Sequence, residues 1–283
     1  MQISVQHQIS VALGEGVGRA VQHLLLTPQS GPAQTVREWR VEVEGLDDPH
    51  GFVDAYGNRA LLASQTRPPA ELVISVSGVV DTHDRHGVLG RIAGEPVPAL
   101  FRRATPLAKP IGSIVSRLRA LPRTGPDRIP LLHALMARVG EVLAPAEAVP
   151  SQSQEMGGQS QSQSQSQSQS QSQGSAHGGR PTASAADYAH AFIGAARALE
   201  IPARYVSGYL YEDDAPAAGP HGWAEAWDDG LGWIGFDPLL ALCPTDRHIR
   251  VATGLDALAA VPVRSVPVVG SPADLSLVVS AGQ

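Results

Sequence analysis

Apolar and polar positions alternate along roughly the first hundred residues with the period of two that half-buried antiparallel strands require. The clearest stretches are Arg37 to Val43 (REWRVEV) and Glu71 to Val79 (ELVISVSGV), set between Gly, Pro and Asp clusters, with Tyr56-Gly57-Asn58 as a turn. Past Pro98-Ala-Leu-Phe-Arg-Arg-Ala-Thr-Pro106 the spacing changes, and Ile111 to Leu121 and Ile129 to Leu143 predict two helices. A third helix is predicted from Ser184 to Leu199. There Ser184 supplies an N-cap and Asp187 the acid of a capping box, while Tyr188, Phe192, Ala195, Ala196 and Leu199 share one face. Strands follow at Ala203 to Tyr211, Gly222 to Trp227 and Trp233 to Phe236, the last two joined by the hairpin signal Asp228-Asp229-Gly230, and Leu275 to Ser280 reads as a closing strand. The aromatics Tyr205, Tyr209, Trp223, Trp227 and Trp233 are core residues by default, with room for some to line a groove.

These elements predict an α+β fold: an N-terminal antiparallel β domain over residues 1–108, a helical connection over 109–150 and a compact helix-and-strand core over 181–283. Between them, residues 151–180 change composition, with strict Gln-Ser alternation from Gln159 to Gln173. Such a tract has little apolar surface to offset its ordering entropy and predicts a disordered linker.

Composition narrows the function classes. A chain of 283 residues with 43% apolar content can bury a sizeable core. With 21 basic against 27 acidic residues and a net charge of −6, it carries no overall attraction for nucleic acid or anionic lipid, and neither is expected as a partner. The opening residues lack the basic cluster and apolar run of a signal peptide, and no later stretch approaches a membrane span, so a cytoplasmic location is expected. The single cysteine, Cys243, leaves no internal disulfide framework and no multi-cysteine zinc site. The ten histidines are scattered without metal-ligand spacing, and no metal or other cofactor is expected.

Residues 187–250 (DYAHAFIGAARALEIPARYVSGYLY, HGWAEAWDDGLGWIGFDP and CPTDRHIR) resemble the bacterial transglutaminase-like superfamily, whose core is related to papain-like cysteine peptidases. Val21-Gln-His-Leu-Leu-Leu-Thr-Pro28 and Ala99-Leu-Phe-Arg-Arg-Ala-Thr-Pro-Leu107 resemble the β domain that precedes that core in many bacterial members. The resemblance implies a triad in which a Cys at the start of the core helix attacks an amide carbonyl, a His opening the next strand is its base, and an Asp on the following strand orients the His. A thiol near a helix N-terminus and an imidazolium has a lowered pKa and reacts as thiolate. His221 matches the His and Asp237 the Asp, but Ala185 stands at the position of the Cys. Ala183 replaces a Gly, Ser184 the residue between, and Ala186 a polar residue. His190 belongs to the motif as a structural hydrogen-bonding residue.

The expected function is therefore a catalytically inactive member that binds a peptide or protein segment through the remnant cleft. The resemblance also suggests partners, because bacterial relatives are often encoded beside ATP-grasp and alpha-E proteins and beside a second transglutaminase-like protein. The competing reading is an active amide hydrolase or acyl transferase that uses Cys243 or Ser184 with His221 and Asp237. A plainer one leaves His221 and Asp237 merely holding a hairpin together. A third class is assembly through the Ser-Gln tract.

Overall fold

The structure, a computed structural model, describes residues 1–46, 49–121, 128–144, 183–213 and 219–282. The Ser-Gln tract, and the expectation of disorder there, lies outside the described residues.

The first half of the chain forms β1 (Gln2–Ala12), β2 (Arg19–Thr27), β3 (Gln34–Val43), β4 (His50–Val53), β5 (Arg59–Thr66), β6 (Glu71–Thr82) and β7 (Val88–Gly90). A 3-10 turn (Pro98–Arg102) leads to α1 (Gly112–Leu118), α2 (Arg128–Leu143) and α3 (Ala185–Ala198). The rest is β8 (Ala203–Leu210), β9 (His221–Asp228), β10 (Gly232–Phe236), β11 (His248–Gly254), β12 (Val263–Val266) and β13 (Ala273–Ala281).

Three sheets result, in the orders β13-β1-β6-β3, β12-β2-β5-β4 and β11-β8-β9-β10-β7. The inward alternation of β1 (Ile9, Val11) and β6 (Leu72, Ile74, Val76) packs against Leu24 and Leu26 of β2, so the first two sheets form a sandwich. Leu25, between those two leucines, faces the other way and joins Tyr209, Ile249 and Val251 in a second cluster, where the sandwich meets the third sheet. That is why three consecutive leucines are buried without breaking the period of two. The third sheet carries α3 on one face through Ala203, Tyr205, Ala224, Ala226, Ile234 and Phe236, with α1 and α2 behind it. At Gly194 the α3 backbone comes so close to the 108–109 chain that a Cβ would lie 2.6 Å from the Lys109 carbonyl oxygen.

Strand pairing runs across the division expected at residue 108. β7 lies before that point yet pairs with β10 in the core sheet, while β12 and β13, from the expected 181–283 core, pair with β2 and β1 in the sandwich. Alternation identifies a strand from its own residues and carries no information about its neighbour, so this exchange had no local signal. The turn at 56–58 is present: Asp54 Oδ1 accepts from the backbone N–H groups of Tyr56 and Asn58 at 2.8 Å each.

Candidate active site

In β9 the sequence His-Gly-Trp-Ala-Glu-Ala-Trp alternates between the two faces of the third sheet. Ala224 and Ala226 enter the cluster under α3, which leaves His221, Trp223 and Glu225 on the opposite face. Gly222 is required where it stands, because a Cβ there would lie 2.0 Å from the Tyr205 hydroxyl.

Asp237 follows the last residue of β10 and is fully buried. Its Oδ1 accepts from the backbone N–H groups of Leu239 (3.1 Å) and Leu240 (3.2 Å), which fixes the carboxylate plane. Its Oδ2 meets His221 Nε2 at 2.5 Å and His248 Nε2 at 3.3 Å. The Thr245 backbone N–H donates to His248 Nδ1 at 3.2 Å, so the proton of a neutral His248 sits on Nε2 and is given to Asp237. Burial pushes the Asp237 carboxyl up, but the two imidazoles outweigh it and hold the group at about 2. Trp223 stacks on His221 (centroids 6.0 Å apart, 27° between planes) and presents an edge to His248 (5.3 Å, 81°). With Nε2 committed to Asp237, the His221 imidazole keeps Nδ1 as its open face, and among the described residues nothing hydrogen-bonds there.

The start of α3 is ordered by its cap. The Ser184 hydroxyl and backbone N–H both donate to Asp187 Oδ2 (2.7 and 2.8 Å), and the Asp187 N–H donates back to Ser184 Oγ at 3.2 Å. Ser184's backbone and side-chain hydrogen bonds draw the Asp187 carboxyl below its ordinary range. Ala185 is the first helical residue and half-buried, and Ala183 and Ala186 pack against the helical core. His190 Nε2 accepts from the Ala257 N–H (3.0 Å) and its ring stacks on Tyr205, while burial lowers its pKa.

Ser184 and Cys243, the alternative nucleophiles, are engaged elsewhere. The Ser184 hydroxyl is occupied by the cap. Cys243 is half-buried beyond the Asp237–Leu242 bridge and packs against the α3 cluster, and burial pushes its thiol up, toward the unreactive protonated form. Among the described residues neither hydrogen-bonds to His221.

His248 and a buried ion network were missed by the sequence reading. Arg204 Nε meets Glu225 Oε2 at 2.6 Å, Arg250 Nε meets Glu225 Oε1 at 2.8 Å, and Glu95 bridges the two guanidiniums at 2.8 and 2.9 Å. Arg204 also lies 3.8 Å over the Trp233 ring. The signal was an isolated Arg or Glu inside an otherwise apolar strand, which marks a buried pair. Glu95, Glu225 and Arg250 of this network, with Trp223, Thr245 and His248, line a cavity of about 310 Å³, bounded on its other side by the Gln29–Gln34 loop of the sandwich. His221, Asp237 and His248 also form, among the described residues, a group with metal-ligand character, their ligand atoms within 4.8 Å of one another. The proton that Thr245 fixes on His248 Nε2 suits a hydrogen bond to Asp237 better than coordination.

Residues 135–238 match the transglutaminase-like superfamily, and residues 3–81 match the bacterial transglutaminase-like N-terminal region. The chain thus joins a bacterial transglutaminase-like N-terminal region to a transglutaminase-like core. An uncharacterised protein of Mycobacterium leprae is 24% identical over 265 residues, covering 90% of this chain and 88% of the relative. A solved structure from Cytophaga hutchinsonii, described as a candidate cysteine protease, superposes with a TM-score of 0.63 at 17% identity over 99% of this chain and 89% of that one, which shows a shared fold. No helix among the described residues is long and apolar enough to cross a membrane.

Proposed function

We propose that this chain is a binding or regulatory member of the superfamily, whose site has kept its His–Asp pair and lost its nucleophile. The observation that carries this reading is the state of His221: the ring is held through Nε2 by a buried carboxylate, its Nδ1 is unengaged among the described residues, and the residue at the capped start of α3 is Ala185. An imidazole held in this way is an effective proton acceptor, but without a thiol or hydroxyl beside it no acyl intermediate can form. In serine proteases, removing the nucleophile of a triad costs about a million-fold in turnover, because its members act as a unit. The ordered site is consistent with retention of a cleft for a peptide or protein segment, and an active transglutaminase-like paralog or an ATP-grasp or alpha-E protein is a candidate partner.

The half-buried thiol of Cys243, pushed toward its protonated form, and the capping role of Ser184 weigh against the enzyme reading. Purified chain is to be assayed for amide hydrolysis of model peptides and for transamidation with a fluorescent amine, beside His221→Ala, Cys243→Ser and Ser184→Ala. No turnover above that of His221→Ala is expected. Turnover lost in His221→Ala together with either of the other variants would establish an enzyme and overturn the proposal.

A further inference from the structure

β13 forms the outer edge of the first sheet, and among the described residues no strand pairs with its far side. A strand of this length, about 30 Å at ~3.4 Å per residue, presents a row of unpaired N–H and C=O groups that acts as a template for another strand. Proteins ordinarily blunt such an edge with lysines, prolines or inward-pointing charges. β13 reads ADLSLVVSA, and its one charge, Asp274, turned inward to the buried His7 (Nε2 to Oδ1 2.7 Å), guards only the start of the strand. A bulge opposite Gln8 and Ile9 interrupts the first residues only, leaving Ser276 to Ala281 regular. Leu277 and Val279 pack inward, whereas Val278 on the outer face is 55% exposed and Leu275, at the bulge, 54%.

We propose that β13 pairs antiparallel with β13 of a second copy of this chain, joining two four-stranded sheets into one of eight strands. The occupant follows from the residues. A two-fold axis perpendicular to the sheet at Val278 places Leu277 of one copy opposite Val279 of the other, Ser276 opposite Ser280, and Val278 opposite itself. Inward residues stay inward, the exposed Val278 side chains cover each other, and no two charges meet. The contact rests on an exposed edge away from the His–Asp pair, so it stands or falls separately from the proposed function.

Sedimentation velocity of the full chain from about 1 to about 300 µM should show a reversible monomer–dimer equilibrium. Val278→Lys and Val278→Glu each place like charges face to face on the axis, and each should weaken the dimer about tenfold or more. An equimolar mixture of the two should form a heterodimer about tenfold tighter than either variant forms alone. Because the side chain is exposed, the circular dichroism and melting temperature of both variants should match the unaltered chain at concentrations where that chain is monomeric. A chain that stays monomeric throughout, a dimer indifferent to both substitutions, or a mixture that gains nothing would each overturn the proposal. Should one variant fail to fold, Ser276→Lys mixed with Ser280→Glu places opposite charges across the same axis and reads the same register.

Discussion

Glu225 is the point at which the ion network is most exposed to a single change. It is fully buried and holds Arg204 at 2.6 Å and Arg250 at 2.8 Å. Burial pushes its carboxyl up, but Arg204 and Arg250 together bring it below the ordinary range, so it is ionised near neutrality. Glu225→Gln keeps the volume and removes the charge, leaving two guanidiniums against Glu95 alone. Each lost pair is worth about 4 kcal/mol at an effective dielectric constant of ~20 and a charge separation of ~4 Å. Several kcal/mol are returned because a carboxylate no longer has to be desolvated, so the net loss is about 3–5 kcal/mol. At ~2–4 °C per kcal/mol, the melting temperature should fall by about 6–20 °C. Arg204→Met/Glu225→Met restores a one-to-one balance between Arg250 and Glu95 and keeps a long side chain over Trp233, so it should recover most of that loss. Urea and thermal unfolding of the three proteins measure this directly. A Glu225→Gln protein within about 1 kcal/mol of the unaltered chain, or a double variant no more stable than the single, would refute the account of the network.

Two further changes test the site's surroundings. Asp237, held at about 2 against an ordinary value near 4, contributes stability that is fully present above pH ~4 and is lost as the pH falls through its folded pKa. The stability advantage over Asp237→Asn in urea titrations should therefore be about 2 kcal/mol at pH 5 and shrink toward pH 2, and a pH-independent difference would contradict it. Gly194→Ala, which in an ordinary exposed helix would stabilise by about 1 kcal/mol, should instead destabilise by about 1–3 kcal/mol, since its Cβ would meet the Lys109 carbonyl at 2.6 Å. A gain in melting temperature would show that α3 moves away from the 108–109 chain without strain.

What the sequence made legible was local. The capping box of Ser184 and Asp187, the Asp228-Asp229-Gly230 hairpin and the alternation of β3 and β6 are each encoded within a few residues, and each is present in the structure. His221 and Asp237 were legible through family motifs and meet across one hairpin. His248 was not, because it reaches Asp237 only by virtue of the loop through Asp237 and Leu242 and the pairing of β11 with β8. Arg204, Glu225, Arg250 and Glu95 come from four separate segments, and nothing in their spacing announces a common network. The exchange of β7, β12 and β13 was hidden for the same reason: pairing is decided by partners distant in sequence. The expected helix Ile111 to Leu121 is ordered as the shorter Gly112–Leu118, its end set by packing of Ile114, Val115 and Leu118 on the helical core.

We propose that residue 185, at the capped start of α3, occupies the place of the missing nucleophile. The most direct test is the iodoacetamide alkylation rate of Ala185→Cys against pH, measured in a Cys243→Ser background with and without His221→Ala. On that proposal the capped start of α3 and the His221 imidazole together should lower the thiol pKa well below ~8.5, giving fast alkylation near pH 6 that slows markedly when His221 is removed. Efficient amide turnover should still be absent, because Ala183 and Ala186 alter the approach that must hold the reacting groups to within about 0.5 Å. Alkylation like that of a free thiol and indifferent to His221 would contradict the placement of residue 185. Turnover at an active enzyme's rate would contradict the decayed site and leave a single lost sulfur as the whole difference.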